Sequence, residues 1–194
     1  MSIEVLSKNT ADIFSAIIRE PNWDKVELQE GIRKIFLQAR DSVGSPEEYL
    51  ESLLVNVTLQ YAYTNTAIAF LMECIEEEKF LSHESFQSTL VNVPNQVKES
   101  NFIAENMPRF KELVYQGSTI EEQVPHAESV YFQTKLVNDL LIGFIGIFLE
   151  PNNRNYMENY LEYSSQVVVD AVMNYCQAYS NHILEEINSM NSTQ

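Results

Sequence analysis

Apolar side chains recur every three or four positions through most of this chain, and the pattern is tightest between residues 50 and 75. Leu50, Leu54, Val57, Tyr61, Thr64, Ile68, Leu71 and Ile75 follow a 4-3-4-3 spacing, which is the heptad pattern of a helix seam. An exposed coiled coil would carry charges beside its seam, yet residues 52–72 contain none. That run is formally long enough to cross a bilayer. It also holds Ser52, Asn56, Thr58, Gln60, Thr64, Asn65 and Thr66, which hydrocarbon would accept only at high cost. The pattern therefore predicts the central helix of a bundle, covered by other helices on most sides, and no membrane span.

Helix punctuation agrees. Ser45-Pro46-Glu47-Glu48 reads as a start: Ser45 can cap, Pro46 suits the first turn, and Glu48 completes a capping box. The helix it opens is expected over about 46–80. Pro125 and Pro151 bracket a second long helix over about 125–150, with Gly143 and Gly146 inside it. Each glycine costs helix stability, so close approach of another backbone is the expected reason. A third long helix is expected over about 153–187. Met157, Leu161, Val168, Val172, Tyr175, Tyr179, Ile183 and Ile187 mark one face of it, and Tyr156, Tyr160, Tyr163, Val167 and Ala171 a neighbouring one.

Shorter helices are expected around these three. Ile3, Leu6, Ile13, Phe14 and Ile17 form one amphipathic segment closed by Glu20-Pro21, and residues 23–40 form another. A helix over 82–91 would be stopped by Asn92-Val93-Pro94, and Asn106-Met107-Pro108 would interrupt the next. The resulting picture is an all-α multi-helix bundle. It has three long central helices, shorter peripheral ones, one domain over 1–187 and a frayed polar tail over 188–194. Apolar surface on more than one side of the long helices also predicts a homodimer.

Composition adds constraints on function. The chain has 194 residues with 28 acids against 12 bases, a net charge of −16. Lys and Arg are missing from 41–78 and from 155 onward. Direct nucleic-acid binding is disfavoured, because phosphate contact needs clustered cations. Such a charge suits soluble monodispersity, a basic protein partner or mimicry of nucleic acid, and a solvated acidic surface is the commonest of its meanings. The run Glu76-Glu77-Glu78 opposes the dipole at a helix C-terminus and is the candidate docking patch. Cys74 and Cys176 lie in apolar helical stretches and read as buried free thiols. Glu4, Lys8 and Asp12 interrupt the apolar core that a secretory signal needs, so a cytoplasmic location is expected.

Catalytic motifs are missing: there is no glycine-rich loop after a strand, no G-x-S-x-G, no C-x-x-C, no H-E-x-x-H and no paired E-x-x-H. His182 precedes Glu185 and Glu186 by one turn, and a solvated histidine beside acids explains that spacing better than a metal. No cofactor or metal is expected.

One polar strip stands out in the last helix. Gln166, Asp170 and Asn174 follow one-turn spacing with no base within a turn of Asp170. If buried, Asp170 must find donors or take a proton, and Asn56, Gln60 or Thr64 could face it. The strip either fixes helix register or lines an exposed face, or it forms the polar wall of a pocket lined by Tyr156, Tyr160 and Tyr163. The leading expectation is thus a non-enzymatic acidic protein, an inhibitor, immunity factor or adaptor covering a basic partner surface. The alternative is a bundle that binds a small, partly apolar ligand in an internal pocket as a sensor or carrier.

Overall fold

The computed structural model describes residues 30, 34, 36–78, 81–115, 119–153 and 158–191. The amphipathic segment expected before Glu20-Pro21 lies outside them, as does Tyr156. The described residues are helical or connecting, with no strand among them. Five long helices follow a helical entry segment at 36–41: α1 (Pro46–Glu76), α2 (His83–Glu99), α3 (Phe102–Val114), α4 (Ile120–Phe148) and α5 (Ser165–Asn191). The all-α bundle with long central helices is what the hydrophobic pattern predicted.

Helix α1 begins as its signals indicated. The Ser45 hydroxyl accepts from the Glu48 N–H at 3.2 Å, and Pro46 occupies the first turn. The Glu48 carboxylate reaches one residue further back than a standard capping box and accepts from the Gly44 N–H at 3.1 Å. A side chain at position 44 would meet that carboxylate at 2.9 Å, so glycine is what leaves room for the cap. The helix stops at Glu76, where Glu77 closes the last turn and Glu78 takes a left-handed φ of 49°.

Proline governs less than expected. Pro94 lies inside α2, Pro108 inside α3 and Pro125 inside α4. Each removes one backbone donor, but packing of the apolar face carries the helix across it. Helix α4 starts five residues before Pro125, where the Glu122 carboxylate accepts from the Thr119 N–H at 3.3 Å. The long helix expected over 153–187 is divided. A 3₁₀ turn spans Pro151–Asn153, residues 158–160 are helical, the chain turns at 161–163, and α5 follows. The Val168 N–H donates to the Ser164 carbonyl at 3.2 Å, so the Ser164-Ser165 pair starts a new helix, where serine is favoured. Helical backbone then continues to Asn191, past the expected end.

Helix α1 is the hub, in contact with all four other long helices. Tyr49, Leu50, Leu53 and Leu54 pack with Ala127 and Val124, whereas Ala67, Phe70, Leu71 and Cys74 pack with Leu140, Leu141, Phe144 and Phe148. N-terminal residues meet N-terminal residues, so α1 and α4 run parallel. The return path is α2 and α3 in series: Phe86 meets Phe70 at 4.8 Å between ring centroids, and Phe110 meets Tyr61 at 5.6 Å. Helix α5 runs antiparallel to α4, with Tyr160, just before it, against Phe148 at 5.2 Å and Gln133 bonded to Asn181. Every seam position from Leu50 to Ile75 is buried or half-buried.

Among the described helices, Ile120–Phe148 has the length and mean hydropathy (1.2) to cross a membrane. In this fold its residues Leu136, Leu140, Leu141, Phe144, Ile145 and Phe148 are core. The charge-free run of α1 falls short of that hydropathy.

Candidate functional site

Parallel packing of α1 and α4 gives the bundle two unlike ends. At one end stand both helix C-termini, each carrying the negative pole of its dipole, and neither last turn holds a base. Glu73, Glu76, Glu77 and Glu78 are exposed there, joined by exposed Glu84 at the start of α2, Glu150 after α4, and Glu158 and Glu162 before α5. The Ser165 hydroxyl donates to Glu76, tying α5 to the end of α1. His83 rests beside Gly146, tying α2 to the end of α4. The described bases, Lys34, Arg40, Lys98, Arg109, Lys111 and Lys135, all belong to other parts of the bundle. Lys79 and Arg154 lie outside the described residues. Glu76, Glu77 and Glu78, the docking patch singled out from sequence, thus belong to a wider acidic surface drawn from four helices.

The opposite end holds the positive helix poles and a compact ion pair that sequence reasoning missed. The Arg40 Nε and Nη2 both donate to the Glu128 carboxylate at 2.8 Å, and the Tyr49 hydroxyl donates to Glu128 Oε1 at 2.9 Å. The guanidinium also lies 5.9 Å from the Tyr49 ring centre. Burial, followed by the bond to Glu128, holds the Tyr49 phenol well above its ordinary range. The hydrogen bond to Glu128 pushes Arg40 up as well. A cleft of about 420 Å³ opens beside them, lined in part by Arg40, Pro46, Tyr49, Ile120, Glu121 and Val124. Its one lining acid among the described residues, Glu121, is a helix-start residue and its arginine is already engaged, so the arrangement reads as a clamp on the helix starts.

The polar strip of the last helix is on the surface. Gln166, Asp170 and Asn174 are exposed, and the Gln166 amide donates to Asp170 at 2.8 Å. Tyr160 is fully buried in the core, and Tyr163 is half-buried at the turn before α5. The buried polar layer is instead built by Asn138 of α4. Its amide donates to Gln60 Oε1 at 2.8 Å, and the Thr64 hydroxyl donates to Asn138 Oδ1 at 3.3 Å. Gln60 and Thr64 therefore do face a polar residue, but from α4. A second groove, of about 380 Å³, runs between α1 and α2 over Phe70. Neither this groove nor the Arg40 cleft includes any residue of the strip.

Both thiols are buried and unpaired by disulfide. Burial pushes Cys74 up to about 11 and Cys176 up to about 12, leaving them protonated and poorly nucleophilic near neutrality. His182 is exposed against Tyr179, and His126 Nε2 lies 3.1 Å from the Leu113 carbonyl. No group of three His, Cys, Asp or Glu side chains is placed to hold a metal among the described residues. Comparison with protein-family models, with curated proteins and with solved structures found no match.

Proposed function

We propose that this chain is a non-enzymatic, acidic helical protein that works by covering a basic surface of another protein with the negative end of its bundle, as an inhibitor, immunity factor or adaptor would. One observation carries the reading. The parallel α1–α4 pair directs two helix C-termini to the same end, where Glu73, Glu76, Glu77, Glu78, Glu84 and Glu150 are exposed. Acids at helix C-termini, here Glu73, Glu76, Glu77 and Glu150, oppose the dipole of the helices they end, so their concentration is better explained by a partner than by folding. Focused potential of this kind steers a cationic partner and speeds its association. The homodimer belongs to the same proposal, and native mass spectrometry of the purified protein reads it.

The test uses three immobilised proteins: the wild type, a variant with Glu76→Gln, Glu77→Gln and Glu78→Gln, and a charge-matched control with Glu105→Gln, Glu112→Gln and Glu121→Gln. Host extract is passed over each at low ionic strength and eluted with salt. A basic protein held by the wild type and the control, not held by the first variant and released by salt, supports the proposal. Equal retention on all three, or retention that ignores salt, overturns it.

A further inference from the structure

The groove between α1 and α2 opens toward the acidic end and has a chemistry of its own. Thr66, Ala69 and Glu73 line it from α1, and Ser85, Thr89 and Gln96 from α2. Its lining spans about 16 Å along α2, from Ser85 to Gln96, and about 10 Å along α1, from Thr66 to Glu73, at 1.5 Å per residue. A volume of about 380 Å³ over that length is a shallow channel, which a helix about 10 Å across cannot enter. An extended chain of about three to five residues, at roughly 3.3 Å each, matches that span.

The threonines and Glu73 make the walls rich in acceptors, with donors at the Ser85 hydroxyl and the Gln96 amide. The Thr66 and Thr89 hydroxyls have already donated, to the Ala62 and Ser85 carbonyls at 2.9 Å each, so they can offer only lone pairs to a visitor. Glu73 adds a full negative charge with no cationic partner among the described residues. None of the lining residues is Lys or Arg. Ala69, Ser85 and Thr89 are small, which lets a backbone come close. The complement of such a surface is a strand rich in N–H donors that also carries positive charge.

We propose that the α1–α2 groove receives an extended segment of the partner protein bearing lysine or arginine, whose backbone N–H groups face the threonine hydroxyls and whose cations meet Glu73 and the acids beyond it. This rests on the reading of the acidic end as a partner surface and names the part of the partner that enters. The recognition is an extended chain laid along a groove, with charge setting the choice of segment.

The probe is a short capped synthetic peptide alternating lysine and alanine, titrated into ¹⁵N-labelled protein at low ionic strength. Amide shifts are expected at Thr66, Ala69, Glu73, Ser85, Thr89 and Gln96. Thr89→Trp, which fills the channel from its wall, is expected to weaken binding roughly tenfold, and Glu73→Gln several-fold. Shifts confined to Glu76, Glu77, Glu78 and Glu150 and untouched by Thr89→Trp overturn the groove while leaving the acidic end standing. No shift anywhere overturns both.

Discussion

Asn138 of α4 donates its side-chain amide to Gln60 of α1 at 2.8 Å, in the middle of an otherwise apolar contact between two parallel helices. The Thr64 hydroxyl closes the same group from above. A slide of either helix by one turn would bury these polar atoms without partners, which is costly. The layer therefore holds the register of α1 on α4. Asn138→Leu takes the amide donor away from Gln60 Oε1, while the Thr64 hydroxyl keeps the Gln60 carbonyl at 3.1 Å, and is expected to cost about 1–3 kcal/mol. Asn138→Asp places an unpaired carboxylate in the same site and is expected to cost more. Urea unfolding of both variants checks the order, and an Asp variant as stable as the Leu variant would contradict it.

Glu128 has two partners of unequal worth. Its side chain is 13 % exposed, whereas that of Arg40 is 45 % exposed. An ion pair open to water on one side contributes about 0–1 kcal/mol. The buried Tyr49 hydroxyl bonded to a carboxylate contributes about 1.5–3 kcal/mol. Tyr49→Phe should accordingly destabilise more than Arg40→Met, and only the Arg40 effect should shrink as salt is added. Thermal melts at low and high ionic strength separate the two, and the opposite ranking would assign the clamp to the arginine.

Much of this fold was legible before any coordinates. The seam from Leu50 to Ile75 and the cap at Ser45 depend only on local spacing, and both appear as read. Thr119 and Glu122 carry the same kind of local signal at the start of α4, but Pro125 drew the boundary to itself. Pro94 and Pro108 misled for the same reason: tertiary packing outweighs the loss of one backbone hydrogen bond. Asp170 attracted attention as a lone acid, yet the phase of α5 places it outside. Asn138, next to the conspicuous Asp139, turns inward on α4. Leu141 and Ile145, three and seven positions on, share its phase and are buried, but apolar residues on the other sides of α4 hide that signal. Arg40 and Glu128 stand 88 residues apart in sequence, and only the parallel pairing of α1 with α4 brings them together.

Gly143 is a site where the chain gives up stability without a visible return. Among the described residues, a side chain added there would meet nothing within 4 Å, and one at Gly146 would meet His83 only at ordinary contact distance, 3.5 Å. No neighbouring backbone among the described residues approaches either position, contrary to the reason expected from sequence. Gly143→Ala should stabilise by up to about 1 kcal/mol through helix propensity and a less flexible unfolded chain. Denaturant midpoints test this. A destabilised Gly143→Ala would mean that something packs on that face in solution, which a parallel sizing measurement would identify as a second copy.

Ser180 and the thiols give a last, pH-linked expectation. The Ser180 hydroxyl is fully buried with no hydrogen-bond partner among the described residues, so Ser180→Ala should be neutral or stabilising by about 1 kcal/mol. The thiols behave oppositely as pH rises. Cys74 and Cys176 sit at about 11 and about 12 in the fold, against an ordinary value of 9.0. Above pH 9 the unfolded chain sheds these protons while the native one keeps them, so stability is complete below that value and falls as pH climbs toward 11. Tyr49, raised from 10.0 chiefly by burial, adds to the loss at the alkaline end. Melting temperature followed from neutral pH upward should therefore decline beyond about pH 9, with thiolate absorbance appearing only as the protein unfolds. Thiolate absorbance in the folded protein near pH 9 would show that water reaches the two sulfurs.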